Sequence, residues 1–156
     1  MKINKKNIII FICFFIIINK RNQRPKISIF LPIYIKENFI NRAIKSIQIQ
    51  TLKEIEIIAV NDNSNDGSLK KLINLSKTDN RIKIVNNDKN HGLLYSRAMG
   101  ILNSRGEYLM NLDPDDEFKD NDSLEYLYNQ TILTHVDIIS FNIINKKNNR
   151  FIKLYI

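Results

Sequence analysis

The residues best suited to chemistry are Leu112-Asp113-Pro114-Asp115-Asp116, where an apolar run breaks into acids. Two carboxylates one residue apart at the end of a strand can turn into one pocket, and hard divalent cations such as Mn2+ or Mg2+ prefer such oxygen ligands. An ion held there by one protein carboxylate keeps positions open for a diphosphate, whose charge it neutralises as a group departs. That is the chemistry of releasing a sugar from a nucleoside diphosphate. The plain alternative is a solvated acidic turn capping the next helix.

Three further positions belong to the same candidate site. Asp62, at the end of an apolar strand, can accept a hydrogen bond from the edge of a base such as uracil, or can simply serve an Asx-rich turn. Tyr34 can stack on a base or lie partly in the core. Arg97 can offer phosphates a planar fork or stand exposed on its helix. His91 is expected to cap a helix, and His135 receives no role. Asp62, Ser64, Asp66 and Gly67 occupy calcium-loop positions, but Ile73 replaces the required glutamate, which excludes an EF-hand. The glycine patterns of nucleotide-phosphate and dinucleotide loops are absent, as is that of the hydrolase nucleophile elbow.

The elements that must hold these residues alternate regularly. Strands are expected at 26–33, 55–60, 81–85, 108–112 and 136–144, with helices at 37–50, 68–76, from about 92, and at 123–133. In the third helix Leu94, Ala98, Ile101 and Leu102 are expected to face inward. This order predicts an α/β fold, a mostly parallel sheet with helices on both faces. Ligands of such sheets bind beyond the strands' carboxyl ends. Residues 32–34, 61–66 and 113–116 all follow strands, so three loops can converge.

The 156 residues suffice for one core, and the net charge of +8 comes with lysine spread along the whole chain rather than in an aromatic-interleaved basic patch. A nucleic-acid partner is therefore not expected, although a basic single-strand binder is the weakest of three functional classes weighed. The lone Cys13 excludes internal disulfides and cysteine-built zinc sites. Ile8 to Ile18 is an unbroken apolar stretch between lysines and arginines. As a helix it would rise ~16 Å against a hydrocarbon core of ~30 Å. Residues 1–25 are accordingly expected to be a signal anchor or signal peptide with a polar linker, which implies membrane association and a secretory-pathway (ER/Golgi) location. Sequons at Asn74, Asn121 and Asn129 are compatible with such a lumen but expected by chance in so asparagine-rich a chain.

Taken in order, Ile29 to Tyr34, Ile47 to Leu52, Glu56 to Ser68, Arg81 to Val85, Asn90-His91-Gly92-Leu93, Ser96 to Gly100, Gly106-Glu107-Tyr108 and Leu112 to Asp116 resemble family 2 glycosyltransferases. The resemblance covers about residues 26–144 and implies a Rossmann-like GT-A sheet. By this resemblance residues 26–156 form a nucleotide-sugar-binding domain, incomplete at its C-terminus. It further implies that Pro32 belongs to the nucleotide-sugar site, Tyr34 packs on the donor's base, Asp62 bonds the base edge, Arg97 positions the donor, Asp113 touches the ribose and Asp115 binds Mn2+ or Mg2+. The implied reaction is an inverting transfer from a UDP-sugar to an acceptor (glycan, lipid or protein) that the sequence does not identify, and no residue is nominated as its catalytic base. Three departures stand out: Ile35 where asparagine is usual, Asn61 where aspartate is usual, and Ala98 where asparagine is usual. The competing expectation is a non-catalytic, membrane-associated module that binds a nucleotide-sugar or acts as a scaffold.

Overall fold

A computed structural model describes residues 24–139. Its order is β1 (Ile27–Ile33), α1 (Ile40–Gln48), β2 (Ile55–Asn61), α2 (Ser68–Thr78), β3 (Ile82–Asn86), α3 (Leu93–Leu102), β4 (Tyr108–Asn111) and α4 (Ser123–Thr134). The four strands form one parallel sheet in the order β3-β2-β1-β4. The chain thus builds outward from β1 to β3, then crosses back to place β4 on the other side of β1. This reversal opens a crevice at the carboxyl end of β1, between the loops that follow β1 and β4.

The helices cover both faces, as the alternation implied. Residues 27, 29, 31 and 33 of β1 point toward α1, α2 and α4, into a core shared with Ile40, Ala43, Ile44, Ile47, Leu72, Leu124 and Leu127. Each large aliphatic side chain fully buried there contributes about 1.5–3 kcal/mol. On the opposite face Phe30, Ile58, Val60 and Leu109 form a smaller cluster against Met99 and Ile101 of α3.

Three local expectations are corrected. In α3 Ile101 packs on the sheet as expected, but Ser96 and Gly100 are the buried positions, whereas Leu94, Ala98 and Leu102 are exposed. The reason is distance: a Cβ on Gly100 would stand 2.7 Å from Cβ of Phe30, so a larger residue would push the helix off the sheet. Helix α1 starts at Ile40 rather than 37, and residues 37–39 form a turn in which the Lys36 carbonyl accepts from the Phe39 and Ile40 amides. The fifth strand does not appear over 136–139, and the rest of it, 140–144, lies outside the described residues.

The expectation of a signal anchor or signal peptide falls on residues 1–23, outside those described. Among the described residues no helix is long and apolar enough to cross a membrane. The membrane-associated, secretory-pathway location is corrected accordingly, since nothing in the described fold supplies an anchor.

Candidate functional site

Three strand-end loops are tied to one another by side chains before they present anything to a ligand. In the loop after β1, Ile35 N donates to Ser64 Oγ (3.2 Å), Lys36 N to Ser68 Oγ (3.1 Å) and Glu37 N to Asp66 Oδ2 (3.0 Å). The asparagine-rich loop after β2 is therefore a clamp on the loop after β1. Beyond β3, the Asp62 carboxylate gathers residues 87–92. Its Oδ1 accepts from Asn87 Nδ2 (2.7 Å) and the His91 amide (3.0 Å), and its Oδ2 from the Gly92 amide (2.8 Å).

Gly92 can be placed there only because it is glycine. Its φ of 86° with ψ of 171° lies in a region essentially closed to side chains. His91 does not cap α3 with its ring. The ring instead bonds Asp88 (2.7 Å) and stacks on Tyr95, centroids 4.2 Å apart.

Ile35 explains one departure from the expected pattern. Its φ of 50° is left-handed, a conformation that asparagine tolerates and a β-branched side chain resists. Ile35→Asn is therefore expected to stabilise the fold by about 1 kcal/mol, read as a higher denaturation midpoint with an unchanged slope. The second departure, Asn61, is absorbed by pairing: its Nδ2 donates to Asn86 Oδ1 at 2.6 Å, and the residue is buried. The third, Ala98, lies on the exposed side of α3.

The loop after β4 carries the acids. Arg97 Nη2 donates to both oxygens of Asp113 (3.1 and 3.3 Å), and Asn111 Nδ2 donates to Asp113 Oδ1 (2.9 Å). Asp115 Oδ2 accepts from Lys36 Nζ at 2.8 Å, and Asp115's carbonyl accepts from Arg42. The Lys36 ammonium lowers the Asp115 pKa against the opposing effect of burial. Burial and the charges of Asp113 and Asp115 raise that of Asp116.

The loop is braced from behind by Gln50, which is fully buried. Its Nε2 donates to the carbonyls of Ser46 and Asp120, and its Oε1 accepts from the Leu124 amide. Thr51 adds a bond from its amide to the Asn121 carbonyl.

Pro32, Tyr34, Asp62, Asp113 and Asp115 all line one pocket of about 300 Å³. Asp62 and Asp115 therefore face a shared cavity, as a common ligand requires. Arg97 does not line it and stands behind Asp113 as its counter-ion. The wall also includes Lys36, Asn90, Gly92, Leu93 and Ser96, which sequence reasoning did not assign to the site. Glycine in an Asn-His-Gly segment was the available signal for part of this group, but Lys36 carried none in so lysine-rich a chain.

Among the described residues no cluster of three or more His, Cys, Asp or Glu is gathered around a metal position. Still, the donor set fits a hard divalent ion: the Asp113 and Asp115 carboxylates line one pocket wall. For such an ion to reach Asp115 Oδ2, the Lys36 ammonium must give way.

The family model for "Glycosyl transferase family 2" matches residues 28–154. An uncharacterised glycosyltransferase of Haemophilus influenzae is 35% identical over 116 residues, which is 71% of this chain and 46% of that protein. The chain thus spans less than half the length of this relative. Among solved structures, Staphylococcus aureus TarS 1–349 in complex with UDP superposes with a TM-score of 0.65 at 23% identity, covering 70% of this chain and 33% of that one. The mannosyltransferase PcManGT of Pyrobaculum calidifontis, in complex with GDP-Man and Mn2+, superposes with a TM-score of 0.61 at 20% identity, covering 65% and 30%. These likenesses establish the same fold.

Proposed function

Since the chain belongs to glycosyltransferase family 2, we propose that its GT-A sheet forms the donor-binding part of a transferase that uses a nucleotide-sugar, with UDP-sugar as the expected donor. One observation carries the reading: the loops after β1, β2 and β4 bring Pro32, Tyr34, Asp62, Asp113 and Asp115 into a single pocket. Its volume lies at the lower end of the range of about 300–1,000 Å³ usual for small-molecule sites.

The pocket has two chemically distinct ends. Tyr34 is 45% exposed, so its ring face is free to stack against a base. Asp62 sits beside it and supplies an acceptor to the base edge, in addition to the amides it already binds. At the other end Asp113 is held by Arg97 and Asn111 in reach of a ribose, and Asp115 would hold Mn2+ or Mg2+. An ion held there would supply positive charge that offsets the diphosphate's as the sugar is released. The residues of this chain then orient base, ribose and diphosphate for an inverting displacement by an acceptor hydroxyl.

Calorimetry with UDP in Mn2+ and in EDTA tests this reading. Binding is expected in Mn2+ and weaker binding in EDTA. No UDP binding under either condition would remove the proposal. Asp115→Asn is expected to reduce the metal-dependent gain in affinity by roughly tenfold, the effect of losing one charged oxygen ligand. Sugar transfer or donor hydrolysis marks the transferase, whereas tight binding without turnover marks a binding module.

A further inference from the structure

Among the described residues lining the pocket, Lys36 is the only basic one. Its backbone is fixed on both sides, by the Ser64 and Ser68 hydroxyls and by Asp66. Its ammonium, by contrast, stands at the end of a flexible stem, 2.8 Å from Asp115 Oδ2 and 5.5 Å from the centroid of the Phe39 ring. The side chain is 32% exposed, so the head can swing without opening the core.

We propose that Lys36 is the resident cation of the acidic loop and a donor-binding residue. It holds Asp115 while no ligand is bound, then yields that carboxylate and donates to the phosphate oxygens of a nucleoside diphosphate. The inference rests on the nucleotide-sugar reading of the pocket and deepens it by assigning a phosphate contact to a residue that reading does not use.

The electrostatics favour the exchange. An ammonium and a divalent ion cannot share one carboxylate oxygen at bonding distance without strong repulsion. A diphosphate drawn to the same corner supplies new charged acceptors within the sweep of the lysine stem, and bonds between ionised partners are the strong ones. Of the other cations near these acids, Arg97 is tied to Asp113 and Arg42 to the Asp115 carbonyl and Glu117, and neither lines the pocket. Without metal, Lys36 still places positive charge beside the diphosphate, so part of the phosphate affinity should survive chelation.

The test compares the wild-type chain with Lys36→Met and Lys36→Arg. The probes are Mn2+ alone, followed through the free-ion EPR signal, and UDP and uridine in EDTA and in Mn2+, followed by calorimetry. Lys36→Met is expected to bind Mn2+ alone about tenfold more tightly, because the competing ammonium is gone. The same variant should lose about tenfold in UDP affinity in EDTA while its uridine affinity stays unchanged. Lys36→Arg should restore UDP binding. If the wild type binds UDP in Mn2+ but Lys36→Met changes neither Mn2+ affinity nor the preference for UDP over uridine, the role of Lys36 is overturned and the pocket reading stands. A change in Mn2+ affinity alone overturns the phosphate contact. No UDP binding by the wild type overturns both.

Discussion

Asp62→Ala is expected to lower the folding free energy by about 4 kcal/mol and to reduce UDP affinity at least a hundredfold. Asp62 is 3% exposed, and its two oxygens receive the His91 and Gly92 amides and the Asn87 side chain. Each bond to a charged acceptor contributes about 1.5–3 kcal/mol, and removal leaves buried donors without partners. The wall formed by Asn90, Gly92 and Leu93 then loses its anchor to the sheet. Asn in place of Asp62 should not rescue the variant, because its NH2 would face the incoming amide donors.

The effect should depend on pH in a defined direction. Burial alone would raise the Asp62 pKa, but the His91 amide, Asn87 and the Gly92 amide outweigh it and hold the group below its ordinary 3.8. A depressed carboxylate stabilises the fold fully above its unfolded value and loses that contribution as pH falls through the folded one. Urea titrations should therefore show a wide gap between wild type and Asp62→Ala at pH 7 that narrows below about pH 4. A gap that stays constant to pH 2.5 would contradict the carboxylate's role.

The second large effect is expected at the opposite end of the sheet. Glu56 is 3% exposed, yet it accepts from Ser28 Oγ (2.7 Å), Lys83 Nζ (2.6 Å) and the Arg105 amide (2.6 Å), with Arg105 Nε at 3.3 Å. Burial raises its pKa, and Lys83, Ser28 and the Arg105 amide together bring it below 4.5. Breaking such a buried network from one side typically costs about 3–5 kcal/mol. Glu56→Ala should thus lower the melting temperature by about 15 °C while leaving the UDP affinity of the folded protein unchanged. This contribution too is complete above the ordinary glutamate range and fades in acid. Loss of nucleotide binding in a well-folded Glu56→Ala protein would show that the two ends of the sheet are coupled.

The order of elements was legible because apolar runs of strand length end in Asp, Asn and Gly. The pocket acids could be placed because each follows such a run. Other features depended on partners far away in the chain. Glu56 lies inside an apolar strand, and nothing local announces that Ser28, Lys83 and Arg105 will meet it. Lys36 meets Asp115 across 79 positions in a chain where lysine is everywhere. In helix α3 only Ile101 of the four residues expected to face inward packs on the sheet, because the contact is built from close approach of Ser96 and Gly100, and hydrophobicity is a poor guide where small size decides. Ile35 could be recognised as a departure, but only its φ shows what asparagine would relieve.

The cross-ties between the strand-end loops divide the pocket into two mechanical halves. Around Tyr34 and Asp62 the walls are already stitched into a single stiff body, so a flat aromatic guest would meet a shaped seat and forfeit little entropy on entering. The acidic half has its backbone braced by Gln50 and Arg42, but the Asp115 carboxylate itself is held by the exchangeable Lys36 ammonium. Recognition should accordingly begin at the firm end and finish at the yielding one, with adjustment confined to the side where bonds are to be broken.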